Sequence, residues 1–128
     1  MMMTKLSPLE LRVMEALWKI GPASIRELQQ TFPARTRPTY STVQTIVYRL
    51  ETKKAVRRAK KISNAHIFEA IVTRNAVHRR LIDDFLALFD GRTQPLMAGL
   101  IESGRLTSRD IEDAERMLDE LTKGRTTT

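Results

Sequence analysis

The chain contains no cysteine among its 128 residues. Disulfides, cysteine-bound zinc and thiol redox chemistry are therefore excluded, and the composition fits a reducing cytoplasm. Aromatic residues make up only 5% of the chain, against 41% hydrophobic residues overall. Many short aliphatic side chains and few aromatic ones suit a helical protein with small cores. No apolar run approaches the ~20 residues needed to cross a bilayer, so no membrane segment is expected. The opening Met1-Met2-Met3-Thr4-Lys5-Leu6 lacks the apolar core of a signal peptide, and its repeated methionines read as an uncertain start site. Histidine occurs only at His66 and His78, outside any carboxylate–histidine motif, so no metal site is expected. Asp83 and Asp84 are adjacent and point to different sides of a helix, which rules out a paired acid–base couple. There is no glycine-rich phosphate loop, and no nucleophile–base spacing stands out. Neither an enzyme nor a cofactor is expected.

What is abundant is positive charge, unevenly placed. Formal net charge is +7. Residues 1–70 hold 13 Lys/Arg and 5 Asp/Glu, while residues 71–128 hold 9 Lys/Arg and 10 Asp/Glu. All of the basic excess lies in the first half, which points to a polyanion partner for that half.

That half reads as three short helices and a hairpin. Ser7, Pro8 and Glu10 form a capping box with proline in the first turn, and Gly21-Pro22 stops the helix. Trp18 lies on its apolar face and reads as core. Ser24 and Glu27 form a second capping box for a helix to about Thr31, closed by Phe32, and Pro33–Pro38 is a loop carrying Arg35 and Arg37. The stretch Thr39–Leu50 is the centre of the pattern. Val43, Ile46, Val47 and Leu50 form one apolar stripe at helical spacing, and Thr39 is an N-cap. Thr39, Tyr40, Ser41, Thr42, Gln44, Thr45, Tyr48 and Arg49 lie off that stripe. Small hydroxyls, an amide, phenols and a guanidinium suit phosphates and base edges better than packing. We read this as a recognition helix, running to about Lys53 or Lys54, in a helix-turn-helix unit.

Two β-compatible runs follow, split by the turn Ser63-Asn64. They predict a wing, with Arg57, Arg58, Lys60 and Lys61 on or near its tip as phosphate contacts. The fold class expected is mainly α with a small β-wing: a winged helix-turn-helix domain over residues 1–72.

Residues 73–128 predict three more helices and a short polar tail. Thr73 caps a helix to about Asp90, Thr93 caps one from Pro95 to about Ser103, and Thr107 with Asp110 caps the last. Gly124–Thr128 is expected to fray. Val77, Leu81, Phe85, Leu88, Phe89, Leu100, Ile111, Leu118 and Leu121 carry much apolar surface on few residues. Such a segment either folds back on the first domain or packs against a second copy. The second is favoured, because one winged helix makes few contacts and a two-fold dimer matches a palindromic site.

The chain resembles the penicillinase-repressor family of BlaI and MecI, bacterial winged-helix repressors. The resemblance rests on Leu6–Trp18, Tyr40–Leu50 and Leu106–Leu118, in that order and spacing, and extends from Leu6 to about Leu121. It implies a cytoplasmic, nucleoid-associated homodimer that binds palindromic operators in double-stranded DNA and represses transcription. It also implies that Ser41, Thr42, Gln44 and Thr45 read bases while Arg49 contacts phosphate. Family members often respond to a membrane sensor-protease and are cleaved between an Asn and a Phe in the second C-terminal helix. The matching positions here are Gly99 and Leu100, a departure from that pattern. Ala55 replaces the glycine common after the recognition helix. A copper-responsive branch uses C-terminal cysteines, which this chain lacks. The alternatives are a winged-helix protein-interaction module with no DNA target and a transcriptional activator.

Overall fold

The computed structural model describes residues 5–126. The repeated methionines, within Met1–Thr4, and Thr127–Thr128 of the tail lie outside the described residues. The elements in order are α1 (Pro8–Ile20), α2 (Ile25–Gln30), α3 (Tyr40–Thr52), β1 (Val56–Ile62), β2 (Ala65–Ala70), α4 (Arg74–Ala87), α5 (Thr93–Glu102) and α6 (Ser108–Thr126). A single turn of 3₁₀ helix, Ala34–Thr36, lies within the loop before α3. Among the described residues, no helix is long and apolar enough to cross a membrane.

Local chemistry explains the first three helices. Glu10 N donates to Ser7 Oγ at 3.2 Å while Ser7 N donates to Glu10 Oε1 at 2.7 Å. Ser24 and Glu27 repeat the arrangement at α2. Each box satisfies amides that a helix start leaves without partners. Gly21 ends α1 at φ 84°, a conformation natural to glycine. Thr42 N donates to Thr39 Oγ1 at 3.2 Å, which caps α3. Its exit is a left-handed turn in which Lys54 N donates to Glu51 O and Ala55 N to Leu50 O. The left-handed residue is Lys54, at φ 61°, so the turn forms without the missing glycine.

Val43, Ile46, Val47 and Leu50 of α3 are buried, as are Val13, Met14 and Leu17 of α1, Leu28 of α2, and Val56 and Phe68 of the hairpin, and α3 packs on α1, α2 and β1. β1 and β2 pair antiparallel from Val56 opposite Ala70 to Ile62 opposite Ala65, with a bulge between Arg58 and Lys60. Ala23 exchanges backbone hydrogen bonds with Phe68 at 2.9 and 2.8 Å, tying the α1–α2 loop to the wing. One charged side chain is buried in this core, Glu10, at 2% exposure. Lys53 Nζ meets its carboxylate at 2.7 Å and also donates to Lys5 O at 2.9 Å. Burial alone would push the Glu10 carboxyl up, but hydrogen bonds from Lys53 and Ser7 together hold it below its ordinary range.

Two compact units emerge, Met1–Arg79 and Arg80–Thr128, with the division inside α4. Its first turns belong to the winged-helix unit because Trp18 gathers them. The Trp18 indole donates to Val72 O at 3.0 Å, His78 stands edge-on to its ring, and Arg74 lies over it. Val77 is only 2% exposed there. This corrects its expected place at a dimer surface: its side chain is already spent in the core of the first unit.

The second unit departs from expectation at its helix ends. α4 stops at Ala87, and Asp90 and Gly91 take positive φ in the turn beyond. Thr93 lies inside α5 rather than capping it; Arg92 holds the cap position, and Pro95 in the first turn removes an amide with no helical partner to lose. Thr107 and Asp110 do cap α6, and the Thr107 hydrogen bonds hold the Asp110 carboxyl below its ordinary range. α6 continues through Gly124 to Thr126, where a frayed tail was expected.

Candidate nucleic-acid interface

The buried stripe of α3 fixes which side chains face outward. Ser41, Thr42, Thr45, Tyr48 and Arg49 are exposed and Gln44 is half-buried. They are not loose groups. Thr39 Oγ1 lies 3.3 Å from Ser41 Oγ and 2.9 Å from Thr42 Oγ1, forming a hydroxyl cluster at the helix start. The Thr45 hydroxyl donates to Ser41 O at 3.0 Å. Its proton is therefore committed and its lone pairs face outward, so Thr45 presents an acceptor. Gln44 Nε2 donates to Tyr48 OH at 3.2 Å, which couples the amide to the phenol one turn on. Tyr40 is 43% exposed, with the Arg26 guanidinium 5.9 Å from its ring centre.

The loop before α3 is fastened from both sides. Gln29 Nε2 donates to Pro38 O at 3.0 Å. Arg37 donates to Phe32 O from two nitrogens and to Gln30 O from one, so its guanidinium closes the end of α2. Arg37 thus sets the angle at which α3 leaves the loop.

The wing divides its basic residues into two kinds. Arg57 and Arg58 do not lie at the tip. They pair with Glu69 and Phe68 across the base of the hairpin, because β1 begins at Val56 and the turn lies at Ser63-Asn64. Both have carboxylate partners: Arg57 Nε is 2.7 Å from Glu69, and Arg58 meets both oxygens of Glu51 at 2.9 and 3.3 Å. Lys60 and Lys61 lie toward the tip, opposite Ile67 and His66, and make no ion pair among the described residues. The phosphate-facing charge expected of four residues rests mainly on these two.

Sequence reasoning missed Arg26 and Glu51. Arg26 joins Tyr40, Gln44, Tyr48, Asn64 and His66 around a cleft of about 290 Å³ between α2, α3 and the wing. Helical periodicity places Arg26 on the outside of α2 but says nothing of what the hairpin brings to it. Among the described residues, no group of three His, Asp or Glu side chains comes together as a metal site would need.

The second unit holds the other expected residues. Leu81, Phe85, Leu88 and Phe89 lie on α4 or just beyond it, Leu100 on α5, and Ile111, Leu118 and Leu121 on α6. Leu88 is 78% exposed, and Ile82, Phe85, Met117, Leu118 and Leu121 are all exposed. No residue of α5 is buried. Leu81, Ile82, Phe85, Leu86 and Leu96 wall an apolar cleft of about 390 Å³. Gly99 and Leu100 sit within α5, exposed and half-buried respectively.

With this geometry in hand, the penicillinase repressor family model matches residues 6–120 of the chain. Two curated relatives, each named transcriptional regulator BlaI and from two strains of Mycobacterium tuberculosis, are 29% identical over 125 residues, 95% of this chain and 88% of theirs. Among solved structures, MepR, a transcription regulator of the Staphylococcus aureus multidrug efflux pump MepA, is similar with a TM-score of 0.48 at 18% identity. The match covers 96% of this chain and 80% of MepR. A MarR family protein from Bacillus stearothermophilus has a TM-score of 0.46 at 20% identity, over 96% of this chain and 77% of its own.

Proposed function

The chain belongs to the penicillinase repressor family, and from that premise we propose that it represses transcription by binding palindromic operator DNA as a homodimer. The observation that carries the reading is the outward face of α3 beside the basic wing. Capped hydroxyls, an oriented amide and Arg49 face one way from a helix whose opposite stripe is wholly buried. In this reading Ser41, Thr42, Gln44 and Thr45 read base edges, while Arg49, Lys60 and Lys61 contact phosphates. Thr39 and Tyr40 orient the helix start, and Tyr48 holds Gln44.

The homodimer is supported by the second unit, where large apolar side chains stay in water on three helices with little core of their own. A second copy with the same face would cover them by two-fold symmetry. Repression takes place in the cytoplasm, on nucleoid DNA. A membrane sensor-protease is the proposed source of the inducing signal. Gly99 within α5 lowers the cost of opening that helix for scission, although Gly99-Leu100 replaces the Asn–Phe pair of the family pattern.

The test is selection of bound duplexes from a random pool with the full chain. The expected result is a palindrome whose half-sites lie about one helical turn apart, ~34–36 Å. A short asymmetric site would sink the dimer, and no binding to any duplex at low salt would sink DNA binding. Gln44→Ala and Thr42→Ala should lose more affinity for the selected duplex than for random DNA; equal losses would demote them to backbone contacts.

A further inference from the structure

Arg58 has the charge of a phosphate contact but the surroundings of something else. Its guanidinium lies between two rings, 5.4 Å from the centre of Tyr48 and 5.6 Å from that of Phe68. Both oxygens of Glu51, on the last turn of α3, accept hydrogen bonds from it at 2.9 and 3.3 Å. Phe68 is fully buried, so one wall of this slot is rigid. The planar cation therefore pins the Tyr48 ring, and the Tyr48 hydroxyl accepts from Gln44 Nε2. Glu51, Arg58, Tyr48 and Gln44 form one continuous chain from the base of the wing to the face of α3.

We infer that Arg58 and Glu51 are positioning residues for operator reading, which hold Gln44 through Tyr48 in a single orientation toward the base edges. The inference rests on the proposed function, with Gln44 as a reader. An amide can accept from a base and donate to one at once only if its plane is fixed. A glutamine free to rotate about three bonds spends affinity on ordering itself, and a preorganised one does not.

Arg58→Lys and Glu51→Gln test this by fluorescence anisotropy on the selected duplex and on random DNA, across a salt series. Lysine keeps the charge but loses the fork and the stacking. The expected result for Arg58→Lys is a roughly tenfold loss on the selected duplex, as a bidentate amide–base pair loses its fixed geometry. On random DNA the loss should stay below about twofold, with an unchanged salt slope. Glu51→Gln separates the two roles by the ratio of selected to random affinity. If Arg58 were a phosphate contact, removing its carboxylate would tighten binding to selected and random duplexes by the same factor. If it positions Gln44, the selected duplex loses affinity relative to random DNA. In a Gln44→Ala background neither variant should change discrimination further. Equal losses on both duplexes, or a Glu51→Gln variant that keeps the parent's ratio of selected to random affinity, would overturn the inference. Failure of the parent chain to bind any duplex would instead overturn the DNA-binding reading on which it rests.

Discussion

Removing the Lys53 ammonium should reverse the pH dependence of the winged-helix unit. Glu10 is 2% exposed, its Oε1 accepts from Lys53 and Ser7, and its Oε2 is buried with no hydrogen-bond partner. In Lys53→Met the carboxylate keeps the Ser7 amide and loses its cation. Breaking a buried pair from one side costs ~3–5 kcal/mol. The Lys53 side chain is 26% exposed, so water reaches the pair and we expect about 2–3 kcal/mol at pH 7. For a unit of this size that is a fall in Tm of roughly 10–20 °C.

The sign with pH is the sharper test. In the parent chain the folded Glu10 carboxyl lies below its ordinary range, so it contributes stability above the unfolded pKa and loses it as pH falls through the folded one. Without Lys53, only the Ser7 hydrogen bonds oppose burial, already the largest single influence, and we expect burial to prevail and raise the folded pKa. Protonation then favours the fold: the stability is present in acid and lost as pH rises through the raised value. The gap between parent and variant should therefore be widest near neutrality and narrow as pH falls through the raised value of the variant and then the lowered value of the parent. Urea denaturation followed by the single Trp18 measures it, because that indole is fastened to Val72 inside this unit. Glu10→Gln/Lys53→Met, which keeps an acceptor for the Ser7 amide and leaves no charge to bury, should recover to within ~1 kcal/mol of the parent. A loss below ~0.5 kcal/mol for Lys53→Met, or a gap that does not narrow in acid, would refute the reasoning.

Lys60→Ala and Lys61→Ala should each weaken binding to all duplexes alike and lower the salt slope by about one, read from log K against log salt. Arg57→Ala should change that slope less, since Glu69 already neutralises the guanidinium. Leu88→Asp should yield a monomer in sedimentation velocity while Trp18 fluorescence stays native; a parent chain that itself sediments as a monomer would end the dimer proposal. Gly99→Ala introduces a Cβ with nothing within 4 Å in the chain, so it should stabilise α5 by ~0.5–1 kcal/mol and slow limited proteolysis there. Faster cleavage within α5 would show that helix softness at Gly99 is not what admits a protease.

The readable parts of this fold are those whose cause lies within a few residues. Ser7 with Glu10 and Ser24 with Glu27 are three apart, and both boxes form as the sequence predicts. The buried quartet of α3 follows from helical spacing alone. Val77 shares the apolar periodicity of the rest of α4, and nothing local marks its turn as part of the first unit, where Trp18, far away in sequence, meets Val72, Arg74 and His78. Thr93 was misread because a threonine before a proline looks like a cap, while a proline in the first turn costs the helix little.

Charge shows the same limit and carries a consequence. A count of Lys and Arg records cations without their counter-ions. Arg57, Arg58 and Lys53 spend theirs on Glu69, Glu51 and Glu10, and the guanidinium of Arg37 is taken up by backbone carbonyls. The cations near α3 and the wing tip that make no ion pair among the described residues narrow to few, Arg49, Lys60 and Lys61 among them. Each phosphate neutralised contributes about one counterion to the salt dependence, so in the proposed reading a single chain with few such groups would bind weakly at physiological salt. Two chains on one duplex double the contacts and add their binding free energies, less the cost of pairing the chains. In that proposal, the ion pairs that tie α3 to α1 and to β1 withdraw cations from phosphate contact and would leave a single chain short of affinity. The exposed apolar residues of α4, α5 and α6 are where the proposed second copy would pack.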